Sequence, residues 1–246
     1  NELETQIKHF ANVFVCFKKK MSNVVGVIYD TRCEYHLCHK EDREKDVFAA
    51  QWNNSALQQL LTMHKSSQTD KVEIMQAKYG SIEDLLRCHC KQYILEMESL
   101  CHTPLPTDDS SVEQFFKQHP KSESCQYNRA SKVLDLDTIV CQHSYVVERL
   151  GAGALKELMQ LVLAQKQQSG IMLGCGGHHG ARDHAAGLCI FNTEAIAIRA
   201  IQSIHPDLKI CIFDWDVHHG DGNEVEFWKD SKVLKISMHR LDGGGF

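Results

Sequence analysis

Nowhere in the 246 residues does an apolar run approach the ~20 side chains that a membrane-spanning helix requires. The best candidate, FANVFVCF at 10–17, is too short and is preceded by Glu2, Glu4 and Lys8. No secretory h-region precedes the rest of the chain. An excess of positive charge is also missing. Lys and Arg number 27 against 32 Asp and Glu, a formal net charge of −5, which argues against direct nucleic-acid grip. Paired CxxC motifs are absent although there are 11 cysteines. Their odd number and single scattering read as reduced thiols in a cytosolic or nuclear protein. Proline is scarce, and three of the four residues, Pro104, Pro106 and Pro120, fall in one segment. What is present is ordinary for a soluble domain: 43% apolar and 24% charged residues, enough for a packed core. The length suits one α/β domain or part of a larger one. The chain starts with Asn rather than Met and stops at Phe246 straight after three glycines, so both ends read as cut.

Leu3, Ile7, Phe10, Phe14 and Phe17 at helical spacing predict a short amphipathic helix over residues 3–17. VVGVIYD at 24–30 reads as a buried parallel strand, and VEIMQA at 72–77 as a second. Helical periodicity covers 46–65 and 82–98, with Ser81 as N-cap of the latter. Residues 102–132 are polar and proline-bearing, and predict a long surface loop. A helix follows over 143–168, then strand 171–174, helix 192–204 and strands 209–216 and 232–238. Strands alternating with helices predict an α/β fold, with a mostly parallel sheet and helices on both faces, three layers in α-β-α order.

Ligands of such folds sit at the carboxyl ends of strands. There the stretch DWDVHHGDG, 214–222, crowds ionisable groups behind the strand KICIF, where each is costly to desolvate. Asp214, Asp216 and His218 at i, i+2 and i+4 point the same way if extended. Neighbours two apart stand ~6.6 Å from each other, close enough to converge on one ion, whereas the outer pair needs a bend. One Asp and one His therefore read as a chelating pair for zinc or another divalent transition ion, with the other Asp in support. The competing reading is a capping network of hydrogen-bonded acids and histidines. A second cluster, GCGGHHG at 174–180, follows strand IMLG. Its adjacent His178 and His179 cannot point the same way if extended, which suits two jobs at one site. One is a base for water and the other a donor to a developing oxyanion.

GGHHG…GLCIFN, then DWDVHHGDG and ISMHRLDGG, resemble the zinc-dependent histone deacetylases and their acetylpolyamine amidohydrolase relatives. Weaker echoes are VGVIYD (25–30), LLRCHCKQYI (85–94) and DLDTIVCQHSY (135–145). The resemblance implies an arginase/deacetylase-like fold over 24–246, as the N-terminal portion of a deacetylase catalytic domain, with 1–23 as an extension or helix. Asp216 and His218 match two ligands of the catalytic Zn²⁺. His178 and His179 match the tandem histidines beside the metal-bound water nucleophile, with Asp214 and Asp221 as their respective partners. Asp214, Asp216, His218, Ser237 and Met238 match a buried monovalent-cation site, usually K⁺. Gly187, Leu188 and Phe246 match the wall of the acyl-lysine tunnel. The implied activity is hydrolysis of the acetyl amide of acetyl-lysine in histone tails or other proteins, in the nucleus or cytoplasm. Corepressor-type partners are implied as well, and neither nucleic acid nor membrane.

This chain departs from that pattern in several places. Leu188 replaces the usual tunnel aromatic, GCGG replaces the RPPG of many class II members, and DWDVHHG leans towards class II. Asp108 and Asp109 are candidates for the rim acid that grips substrate backbone. The family's third zinc ligand and transition-state tyrosine lie beyond Phe246, so the chain as given is expected to be truncated at its C-terminal side and inactive. Asp242 and Cys175 are alternative third ligands. Two other readings stay open: an acetylpolyamine amidohydrolase, and a non-catalytic module that binds acyl-lysine or partner proteins. The Cys/His clusters at 33–39 and 88–90 read as buried or incidental thiols, and His143 and Tyr145 as capping and packing residues.

Overall fold

The computed structural model describes residues 13–16, 24–36, 62, 71–101, 104–120, 134–135, 138–174 and 176–240. Four strands, β1 (Val13–Cys16), β2 (Val24–Tyr29), β3 (Lys71–Met75) and β4 (Ser169–Leu173), form one sheet in the order β1-β4-β2-β3. β2 runs parallel to both β3 and β4, and β1 pairs antiparallel with β4. β5 (Ile210–Asp214) and β6 (Val233–Ser237) form a separate parallel pair. The helices with defined bounds among the described residues are α1 (Ile82–Leu86), α2 (Lys91–Leu100), α3 (Asp109–Gln118), α4 (Ser144–Leu163), α5 (Thr193–Ile204) and α6 (Asp221–Phe227). A 3-10 turn covers Thr31–His36. The expected α/β class with mostly parallel pairing is what is observed.

Alternation along β2 sorts its side chains between two sides of the sheet. Ile28 joins Met172 of β4 in the main core, while Val27 meets Leu173 in a small separate cluster. The main core is built around α4, whose Val146, Val147, Leu150, Leu155 and Leu158 are all buried and which packs against α5 and β4. Ser81 caps α1 as its sequence predicts, accepting the Asp84 N–H at 3.1 Å.

Several elements differ from the sequence reading. Val13–Cys16 is a strand rather than part of a helix, because pairing with Ser169–Met172 satisfies its backbone. The rest of the 3–17 helix and, apart from Thr62, the 46–65 helix lie outside the described residues. The 82–98 helix is two helices, broken at Arg87–Cys90, where Cys90 becomes a new N-cap. Residues 102–132 are not all loop. Asp108 opens α3 with a capping box shared with Ser111, and Val112, Phe115 and Phe116 bury one face at i, i+3 and i+4. The helix from 143 ends at Leu163, five residues early, so that the chain can turn into β4 at Ser169. Tyr145 packs, buried, against Phe191. His143 packs between Phe116 and Tyr35 but makes no side-chain cap.

Candidate functional site

β5 ends at Asp214, so Asp216 and His218 lie beyond the strand rather than along it. The chain is then folded by its own carboxylates. Asp214 Oδ1 accepts the Asp216 N–H at 3.1 Å, and Asp216 Oδ1 accepts the His218 N–H at 2.7 Å. These are successive Asx turns, in which a short acid binds the amide two residues on. They supply the bend that an extended chain lacks. His218 Nδ1 lies 2.9 Å from the same Asp216 oxygen, so a carboxylate and an imidazole converge from one short segment.

The loop after β4 brings the tandem histidines to this point. Gly180 N–H closes a turn on the Gly177 carbonyl at 2.9 Å, and the two rings stand 4.1 Å apart, inclined at 57°. Each histidine has its own carboxylate. His178 Nδ1 lies 3.0 Å from Asp214 Oδ2, and His179 Nδ1 lies 2.7 Å from Asp221 Oδ1, at the start of α6. A carboxylate offers no proton, so each imidazole donates from Nδ1 and leaves Nε2 for chemistry. His178 Nε2 points towards the donor pair, 3.9 Å from Asp216 Oδ1. The approach is so close that a Cβ on Gly220 would stand 2.5 Å from Asp214 Oδ2 and 2.7 Å from His178 Nδ1.

Burial disfavours a charged imidazole at His178, but the hydrogen bond to Asp214, and the charges of Asp214, Glu194 and Asp216, outweigh it and raise its pKa above the usual 6.5. Burial likewise opposes ionisation of Asp214 and Asp221, yet the histidine partners hold both below the usual 3.8. Glu194 is buried behind this site. Desolvation raises its pKa, against the amides of Glu194 and Gly177 that hydrogen-bond its carboxylate.

Gly187 and Leu188 form a turn with φ of +53° and +68°, a region glycine enters freely and leucine does not. A Cβ on Gly187 would lie 2.5 Å from His179 Cδ2, so the turn walls the second histidine. Leu188 is 39% exposed beside it. Ser237 faces Asp214 across the β5–β6 ladder, and Met238 N–H donates to the Asp214 carbonyl at 2.8 Å. The Ser237 hydroxyl pairs with His239 Nδ1 at 2.8 Å. Phe246, Asp242 and Cys175 lie outside the described residues.

Asp108 and Asp109 are engaged by backbone amides around α3. Asp108 caps α3 through the Ser111 N–H at 2.9 Å, and Asp109 accepts the Tyr79 N–H at 2.5 Å. Cys88, Cys90 and Cys189 are thiols outside any disulfide. His89 is fully buried and accepts the Asn192 N–H on Nε2 at 3.0 Å. Asn192 in turn donates to the Gly180 carbonyl at 3.2 Å. His89 thus supports the histidine loop, a role its short Cys-His-Cys context did not signal.

The donor chemistry fits a divalent transition ion in part. Asp216 and His218 offer an oxygen and a nitrogen on one side. Among the described residues, no group of three or more His, Cys, Asp or Glu side chains is arranged to hold a metal.

The profile described as "Histone deacetylase domain" matches residues 51–246. Histone deacetylase 7 of Homo sapiens is 30% identical over 223 residues, covering 90% of this chain and 23% of that protein. Histone deacetylase 4 of Caenorhabditis elegans is 30% identical over 234 residues, 93% of this chain and 26% of that protein. The chain therefore spans about a quarter of these curated relatives. The crystal structure of the HDA15 HD domain superposes with a TM-score of 0.65 at 22% identity, covering 92% of this chain and 56% of that one; at that identity the likeness speaks for the fold. With the profile running through both histidine-bearing loops and most of the sequence, the chain belongs to the histone deacetylase domain family.

Proposed function

We propose that the protein containing this chain hydrolyses the acetyl amide of acetyl-lysine in histones or other proteins, in the nucleus or cytoplasm, with zinc held by Asp216 and His218 among its ligands. The deacetylase unit begins near residue 24. The observation that carries this reading is that two adjacent histidines have separate carboxylate partners, at 3.0 and 2.7 Å, beside a converging Asp–His donor pair. Bound zinc supplies a Lewis acid for the amide carbonyl and lowers the pKa of water. His179, oriented through Nδ1 by Asp221, offers Nε2 to take a proton from the attacking water and to pass it to the lysine amine that leaves. His178, with its pKa raised beside Asp214, holds a proton more readily and faces the developing oxyanion. Gly187 and Leu188 wall the lysine stem, and Phe246 is a further candidate for that wall from the family resemblance. The oxygens of Asp214, Asp216, His218, Ser237 and Met238 would hold a monovalent cation such as K⁺, which would brace the Asp214–His218 segment. Corepressor-type proteins are candidate partners.

The test is His179→Ala in the zinc-loaded protein. Turnover of an acetyl-lysine peptide should fall by about 10²–10⁴-fold, while zinc content stays at the unmodified level. Loss of zinc would make His179 a ligand rather than a base. Selective turnover of acetylpolyamines would move the substrate to small cations, and stoichiometric binding of acetyl-lysine without turnover would favour a binding module.

A further inference from the structure

The turn that walls His179 is gripped from outside by a segment with no part in the mechanism above. Leu188 sits at φ +68° directly after Gly187 at +53°. A leucine persists there only where its surroundings over-determine it. Both amides of the turn are taken by side chains of one short segment. Gly187 N–H donates to Asp135 Oδ2 at 2.7 Å, and Leu188 N–H donates to Thr138 Oγ1 at 3.0 Å. The two residues are also tied to each other, because Thr138 N–H donates to the other carboxylate oxygen, Asp135 Oδ1, at 2.7 Å. Thr138 is 1% exposed, so its hydroxyl has no bulk water to turn to. The carboxylate makes the stronger, charge-assisted contact. In sequence these partners are 52 and 50 residues from the turn.

We infer that Asp135 and Thr138 are positioning residues, a two-point clamp on the Gly187–Leu188 turn that sets how tightly an acyl-lysine stem is gripped beside His179. The inference rests on the acyl-lysine reading for its substrate, but the clamp itself is a matter of two hydrogen bonds. With the clamp in place, the Gly187 backbone stays packed against the ring of His179 and Leu188 is held at its positive φ. Without it, residue 188 relaxes to negative φ, which swings the leucine off the stem and rotates the carbonyl before it.

The experiment compares Asp135→Ala, Asp135→Asn and Thr138→Val with the unmodified zinc-loaded protein. Site-resolved amide hydrogen exchange is measured without substrate, then KM and kcat for an acetyl-lysine peptide. Asp135→Ala should speed exchange at Gly187, and Thr138→Val at Leu188, each by about tenfold, as expected for loss of one such bond. KM should rise by a similar factor while kcat stays within about twofold, since the loss is of ground-state and transition-state grip alike. Asp135→Asn keeps an acceptor oxygen and should restore most of both quantities, which general destabilisation would not do. Unchanged exchange at Gly187 in Asp135→Ala overturns the clamp. Faster exchange with an unchanged KM, or a fall confined to kcat, overturns its bearing on the substrate. If the unmodified protein binds acetyl-lysine peptides no better than unacetylated ones, the acyl-lysine grip falls together with the proposed function, and exchange alone still decides the clamp.

Discussion

At the scale of single residues, histidines in this chain serve opposite ends. His178 gains a carboxylate and is more basic than a free imidazole. His89 is sealed in the core between Tyr93 and Phe191, and burial pushes its pKa down from 6.5 to about 4. The Ala181 and Arg182 carbonyls favour a proton on Nδ1 without forming an aligned hydrogen bond to it. For His89 the unfolded chain binds the proton more tightly, so stability rises with pH between about 4 and 6.5 and is lost as pH falls through that window. The gap corresponds to roughly 3 kcal/mol. Urea unfolding at a series of pH values should show this slope in the unmodified protein and a flatter one in His89→Gln. Equal slopes would count against a buried neutral His89. The gathering of Asp214, Asp216, His218 and the histidine pair was legible in the sequence because their types and spacing are unusual, and the structure brings these side chains together. His89, Asp135 and Thr138 were not legible. They act through single hydrogen bonds to backbone 50 to 103 residues away, and no local pattern records such a partner.

Among the elements, α1 shows how a five-residue helix is held. Asp84 accepts from Ser81 Oγ at 2.8 Å and from Lys156 Nζ of α4 at 2.6 Å, with Arg87 at 3.6 Å. Burial resists the charge, but these partners prevail and hold the Asp84 pKa below its usual 3.8. A depressed carboxyl contributes stability above the unfolded value and loses it as pH falls through the folded one. Asp84→Asn should therefore destabilise by about 1–3 kcal/mol at neutral pH, with the difference shrinking below about pH 4. Thermal melts at pH 7 and pH 3 check this, and a constant difference would refute it. Element types were legible where periodicity is strong, as in β2, α4 and α5. The α3 helix was hidden by polar composition and nearby prolines, although Asp108 three residues before Ser111 is a readable cap. Strand β1 was misread because its apolar residues also fit helical spacing. The pairing that decides the matter comes from β4, more than 150 residues on.

For the molecule as a whole, one face stands out. Phe213 and Ile236 are cross-strand partners on the β5–β6 pair, and with Trp215, Leu234 and Met238 they are 41–64% exposed. The alternate residues Ile210, Ile212 and Val233 pack on the core. Such a contiguous apolar surface favours association. The 246-residue chain in isolation should sediment as larger species with rising concentration, and Leu234→Glu, which adds a charge to that face, should shift it towards monomer with little change in Tm. A monomer at high concentration in the unmodified chain would contradict this. The same two-strand face also has a thermal consequence. Contacts made chiefly of apolar surface weaken on cooling, so the assemblies should loosen on ice and re-form on warming. Cold handling would then tell this kind of clustering from aggregates of unfolded chain, which do not dissolve on chilling.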